Sequence, residues 1–164
     1  MRHVKALAAL ALVVGSVLGC STTSVGSAND ASTGMAMPDS YPHAGIYDMI
    51  TLSGEPLPVT DSVETGQQLV TERTWMRLTP YGTVEWFQYG ELRDGTETYR
   101  YRMEHDGEWV RGSRPNSGSI IWGRAEVYLD DQLAEAGDMP DSDEYMLTAE
   151  GLQFLTTKSV YRRR

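Results

Sequence analysis

Residues 83–103 read TVEWFQYGELRDGTETYRYRM, and this stretch decides the fold. Side chains alternate along it. Trp86 falls on one side with Phe87 and Tyr89 on the other; then Tyr99, Tyr101 and Met103 oppose Thr98, Arg100 and Arg102. A period of two is the spacing of a strand with one buried face. Between the two runs stands Asp94-Gly95, a pair suited to the left-handed backbone of a tight hairpin turn. The stretch therefore predicts two paired strands, Val84 to Leu92 and Thr96 to Met103.

The same pattern continues outward in both directions. Upstream, Gln68 to Thr79 predicts a long strand with Val70, Thr74, Met76 and Leu78 on one face and Arg73, Trp75 and Arg77 on the other. Pro80-Tyr81-Gly82-Thr83 turns it into the next strand. A first strand carries Tyr47 and Met49 and ends at Ser53-Gly54. Glu55-Pro56-Leu57-Pro58 then interrupts pairing, because proline cannot donate to a ladder. Downstream, Asp106-Gly107 reads as another turn, leading into Glu108 to Arg111. Ser119 to Leu129 supplies one or two strands, with Ile120, Ile121, Trp122, Val127 and Tyr128. Glu144 to Thr148 and Leu152 to Tyr161 form a last hairpin around Ala149-Glu150-Gly151. The one predicted helix is short, Asp130 to Ala136. The expected fold is all-β: an antiparallel meander of about eight strands closed into a barrel, since closure leaves no exposed edge.

The start of the chain has a different character. Met1-Arg2-His3-Val4-Lys5 is basic, Ala6 to Val14 is an unbroken apolar run, and Gly15 to Gly19 leads into Cys20, the single cysteine. This is the layout of a secretory signal, too short and wrongly flanked for a membrane span. Ser21 to Pro42 is rich in Ser, Thr, Gly, Ala and Asn, a composition that cannot bury enough surface to fold. The expected organisation is a signal peptide over residues 1–19, Cys20 and a flexible tether over 20–42, and a barrel domain over 43–164. Val17-Leu18-Gly19-Cys20 resembles the bacterial lipobox, with Val17 where leucine is commonest. The resemblance implies that Cys20 carries acyl chains such as palmitate and anchors a lipoprotein in the cell envelope. Ser21 stands where an aspartate would hold such a protein at the inner membrane, so the expected site is the outer membrane, facing the periplasm.

Charge narrows the partners. Loss of Arg2 and Lys5 with the signal takes the formal charge from -9 to -11. A chain this acidic is repelled by nucleic acid and by anionic headgroups. Acyl chains would hold it instead, at about 0.8 kcal/mol per buried methylene. With one cysteine there is no disulfide within the chain, so the domain depends on its core.

Candidate chemistry is sparse. His43, at the end of the tether, and His105, beside a turn signal, are both expected to be solvated, and two distant histidines do not make a zinc site. From Glu126 to Glu150 there are nine carboxylates and no Lys or Arg. Asp138 to Glu144 has carboxylates spaced like part of a calcium loop but lacks its glycine and distal glutamate; a solvated loop is expected. No Gly-x-Ser-x-Gly elbow is present. Glu85, Glu91 and Glu97 face Arg73, Arg77, Arg100 and Arg102 as cross-strand ion pairs. No catalytic residue, metal or cofactor is expected. The aromatic side chains remain. Trp86, Tyr99, Tyr101, Trp122 and Phe154 either pack the core or line a lumen that holds a small hydrophobic ligand.

Gly45-Ile46-Tyr47, the run Ser53 to Pro58 and the ending Val160-Tyr161-Arg162-Arg163 resemble small bacterial lipocalin-like domains over residues 44–163. Tyr47 stands where lipocalins carry tryptophan. The resemblance implies that an arginine of the last strand, Arg162, packs over that ring and closes the barrel bottom. Two functions are expected from these residues. One is a lipid-anchored, non-enzymatic envelope protein that binds a small hydrophobic ligand. The other is a protein-interaction or inhibitor module of the envelope acting through exposed loops, above all the acidic 130–144 connection.

Overall fold

The computed structural model describes residues 43–63, 66–139 and 141–164. The signal peptide, Cys20 and the tether through residue 42 lie outside the described residues. Eleven strands follow in order: β1 (Gly45–Leu52), β2 (Glu55–Pro56), β3 (Val59–Ser62), β4 (Gln67–Leu78), β5 (Thr83–Asp94), β6 (Glu97–Arg111), β7 (Ser117–Leu129), β8 (Gln132–Asp138), β9 (Ser142–Leu147), β10 (Leu152–Phe154) and β11 (Val160–Arg163). All pairings are antiparallel. Eight strands run β1-β11-β10-β9-β7-β6-β5-β4, and β4 pairs back onto β1 to close the barrel. The remaining strands, β2, β3 and β8, extend the sheet from β1, β4 and β7.

The central hairpin forms as its alternation predicts. Asp94 pairs with Glu97 around Gly95, whose φ is 60°. Val84, Leu92, Tyr101 and Met103 are buried on the inner face, while Glu85, Arg93 and Arg100 point outward. The chain turns from β1 into β2 at Ser53-Gly54, both left-handed. The Leu57-Pro58 peptide is cis.

Several sequence expectations are corrected. Asp106-Gly107 is no turn: β6 runs straight through it, with Glu85 opposite Asp106 and Val84 opposite Gly107. Against β7 the same spot is a bulge, where Gly123 and Arg124 together oppose Asp106 and Asp106 Oδ1 accepts the Arg124 amide at 2.7 Å. The bulge uses the same residue types as a turn, which is why the two look alike in sequence. The expected helix over Asp130 to Ala136 is instead a two-residue turn followed by β8. Asp130 and Asp131 both adopt left-handed φ, 47° and 63°, and Leu129 pairs with Gln132. Pairing with β7 overrides a weak local helix preference.

The third correction concerns β4. A second bulge lies between Thr71 and Arg73, so Glu72 is the extra residue. It reverses the alternation: Leu69 and Thr71 face inward before it, Thr74, Met76 and Leu78 after it. Val70 is thereby placed on the opposite face from Thr74, opposite Thr60 and Glu91. Fourth, Arg162 pairs with Asp48, on the opposite face from Tyr47; the residue opposite Tyr47 is Arg163, whose guanidinium donates to the Ala44 carbonyl at 2.7 Å. The predicted strand Leu152 to Tyr161 is also divided, by the link between β10 and β11.

The interior has two apolar clusters. The larger surrounds Tyr47, Met76, Leu78, Val84, Trp109, Ile120, Tyr145 and Leu152. The smaller holds Leu69, Leu92, Tyr101, Met103 and Val127. Trp86 packs against both. His43 sits at the base of the larger cluster, buried, stacked on Trp109 with ring centroids 5.7 Å apart. Its Nδ1 lies 2.9 Å from Tyr145 Oη, and Tyr47 Oη donates to its carbonyl at 2.7 Å. The expectation that His43 is solvated is therefore corrected: its ring is part of the barrel's core.

Candidate ligand-binding cavity

Between the two clusters the barrel is not filled. A cavity of about 80 Å³ lies there. One water needs roughly 10–15 Å³ of such space, so the cavity has room for several waters or a small organic molecule. Strand alternation builds its wall. Trp86 and Gln88 come from β5, Met103 and His105 from β6, Trp122 from β7, Asp143 from β9, Phe154 from β10 and Tyr161 from β11. Met49 and Leu52 of β1, Leu69 and Thr71 of β4, Asp61 of β3, and Thr157 and Ser159 complete it.

The rings form a connected group. His105 stacks on Trp122 at 4.7 Å, with 16° between planes. Trp86 meets Trp122 edge to face, centroids 6.4 Å apart at 67°. Phe154 touches both Trp122 and Tyr161. Two indole N–H groups are satisfied: Trp86 Nε1 donates across the lumen to Tyr161 Oη at 2.9 Å, and Trp122 Nε1 donates to Asp143 Oδ2 of the neighbouring strand at 2.9 Å. Gln88 Nε2 donates to Thr71 Oγ1 at 2.6 Å, and Tyr101 Oη lies 3.4 Å from the same oxygen.

Of the candidate ligand-binding residues, Trp86, Trp122 and Phe154 line the cavity together. Tyr101 is buried in the smaller cluster behind Thr71. Tyr99 packs on that cluster from its margin, with its hydroxyl donating to Glu97.

Like His43, two residues expected in solvent are buried: His105 is 5% exposed and Asp143, in the acidic run, 4%. Both face the cavity. Their signal was alternation: His105 continues the inward series of Tyr101 and Met103, and Asp143 is two residues from buried Tyr145. Burial lowers the His105 pKa, so the ring is neutral near pH 7. A hydrogen bond to the Gly123 backbone engages the ring, while Nε2 has no partner. Nε2 of the neutral ring therefore stands unpaired at the cavity wall among the described residues. Burial raises the Asp143 pKa, opposed by the bond from Trp122 and assisted by Asp141. Ser159 Oγ is buried without a partner.

A serine, a histidine and an aspartate therefore share one cavity. Among the described residues neither Ser159 Oγ nor His105 Nε2 has a hydrogen-bond partner, and Asp143 Oδ2 is taken by Trp122, so the three are not linked to one another by hydrogen bonds. Among the described residues no group of three or more His, Cys, Asp or Glu side chains could hold a metal ion.

Fold and cavity together define a closed, eight-stranded antiparallel β-barrel with a small, aromatic-walled lumen. No protein-family model, curated protein or solved structure matches the chain.

Proposed function

We propose that this protein is a lipid-anchored bacterial envelope lipoprotein whose lipocalin-like barrel binds a small ligand without transforming it. The observation that carries this reading is the cavity itself: Trp86, Trp122 and Phe154 surround a space in which His105 Nε2 and Ser159 Oγ are buried without partners. Small-molecule sites have this composition, apolar walls with a few placed polar groups. A buried polar atom left unpaired costs about 1–3 kcal/mol, which a bound ligand or ordered water can offset. The anchor rests on the lipobox-like Val17-Leu18-Gly19-Cys20, and the outer-membrane, periplasm-facing location on Ser21.

Native mass spectrometry of the mature chain taken from a bacterial envelope tests the reading. A discrete added mass that is lost on denaturation is expected. A bare mass, together with failure of any small molecule to shift the cavity tryptophans, would sink it. The anchor is tested separately: Cys20→Ser should release the protein from membranes, and its retention after an alkaline wash would refute lipidation.

One observation favours the interaction reading as an alternative. Among the described residues β8 pairs with β7 alone, leaving its other edge open, and Leu133 on it is 56% exposed. Such an edge can accept a strand from another protein. Under that reading, pull-down partners would be lost when the 130–138 hairpin is removed.

A further inference from the structure

We propose, resting on the carrier reading above, that the cavity is selective for a small primary amine, its ammonium group held against Asp143 and His105 Nε2 beside the indole rings.

The wall has charge of one sign only. Asp143 and Asp61 are its carboxylates, and among the described residues no lysine or arginine lines it. Asp143 forms no ion pair among the described residues; its one side-chain partner is the neutral indole of Trp122. A buried carboxylate in this state lacks the cation that normally accompanies such burial. The unpaired atoms have matching demands. His105 Nε2 is buried without a partner among the described residues, and in the tautomer with its proton on Nδ1 it accepts from a donor. The Ser159 hydroxyl can accept one as well. An ammonium group presents three donors and no acceptor, and its charge is attracted to the faces of tryptophan. Trp86 and Trp122, at 67° to one another, form a corner of such surface.

Other ligand charges fit less well. A fatty-acid carboxylate would meet two carboxylates and no cationic donor. A neutral alcohol would satisfy a hydrogen bond and leave Asp143 uncompensated. The phosphate of an ethanolamine headgroup would bring negative charge against Asp61, so the source is a free amine. A volume of about 80 Å³ limits it to a short chain.

The test compares three probes of one shape: n-butylammonium, n-butanol and butyrate. Each is titrated at neutral pH into the mature chain carrying Cys20→Ser, which removes acyl chains that could compete. The readout is the shift of the Trp86 and Trp122 indole N–H resonances. Butylammonium should bind about tenfold or more tighter than butanol, the scale of a hydrogen bond to a charged group, and butyrate should not bind. Asp143→Asn keeps an acceptor for Trp122 Nε1 and should reduce the amine to the level of the alcohol. Asp61→Asn, on the same wall, is a second variant should the first fail to fold, and it should also weaken the preference. Equal or tighter binding of butanol, any binding of butyrate, or an amine preference unchanged in the folded variants would overturn the inference. Binding of butanol alone would overturn it and leave the carrier reading standing. Silence from all three probes would also overturn it, and an envelope-derived mass would then decide the carrier reading independently.

Discussion

Asp143 is 4% exposed, and its burial bears on stability. Its carboxyl is desolvated, and its pKa is raised above the ordinary 3.8. Between pH 3.8 and the raised folded value the folded form binds a proton that the unfolded chain has already released, so stability contributed by this group is lost as pH rises through that window. Asp143→Asn should remove that loss. It should stabilise the protein above this window by about 1–3 kcal/mol, the cost of a poorly solvated buried polar group, and give no advantage below pH 3.8. Urea midpoints across pH will check this; a constant difference at all pH values would contradict it. The histidines have the opposite sign. Burial lowers the pKa of both His43 and His105 from 6.5, so the unfolded chain takes up protons first and stability falls as pH drops below that value. His105→Gln should flatten that part of the profile relative to the parent. At this scale the sequence was least legible. Polar residues are ordinarily exposed, so His105 beside Asp106-Gly107 and Asp143 within an acidic run were both read as surface residues. What placed them inside is their parity with Tyr101, Met103 and Tyr145, and parity is known only once strand continuity is known.

Strands and turns were legible where side-chain chemistry and pairing agree. The hairpin at Asp94-Gly95, the first strand through Leu52 and the inward set Tyr99, Tyr101 and Met103 were all readable from alternation and a turn signal. Bulges were not readable, because one added residue changes nothing in composition yet moves all later side chains to the other face. This is the reason that Val70 was grouped with Thr74. The bulge at Glu72 also sets a requirement on β5. A Cβ at Gly90 would lie 1.8 Å from the Val70 carbonyl oxygen and 2.9 Å from the Tyr101 ring. Gly90→Ala should therefore cost about 1–3 kcal/mol or more, as overpacking against backbone does, and thermal melting will measure it. The turn into β8 leaves room for improvement. Asp131 holds a φ of 63°, a region that disfavours side chains bearing a Cβ. Asp131→Gly should stabilise the hairpin by up to about 1 kcal/mol, whereas Asp130 should be kept because its Oδ1 accepts the Arg100 amide at 3.0 Å. Glu135 and Asp138 lie on β8 and Asp131 in the turn before it, and like charge on an edge strand discourages pairing between copies.

For the molecule as a whole, closure through β1 and β4 was foreseeable from a long meander with one apolar face, but the cavity was not. Its existence depends on how Trp86, Trp122 and Phe154 meet across a diameter, and no local pattern encodes that distance. The base of the barrel is built differently from its middle. There, His43, Tyr47, Trp109 and Tyr145 interlock by stacking and hydrogen bonds, and Trp109 Nε1 donates to the Thr79 carbonyl at 2.9 Å. Removing residues 21–40 should leave the melting temperature unchanged. Extending the deletion through His43 should lower it, because Tyr145 and Trp109 would lose a buried partner; equal melting of the two forms would show that His43 contributes nothing. The position of His43 also has a mechanical meaning. A leash attached ahead of it would load the base of the barrel, where rings and hydrogen bonds form a firm knot. Tension on the chain would be borne by that knot, and the walls of the cavity would keep their shape while the molecule swings about its mooring.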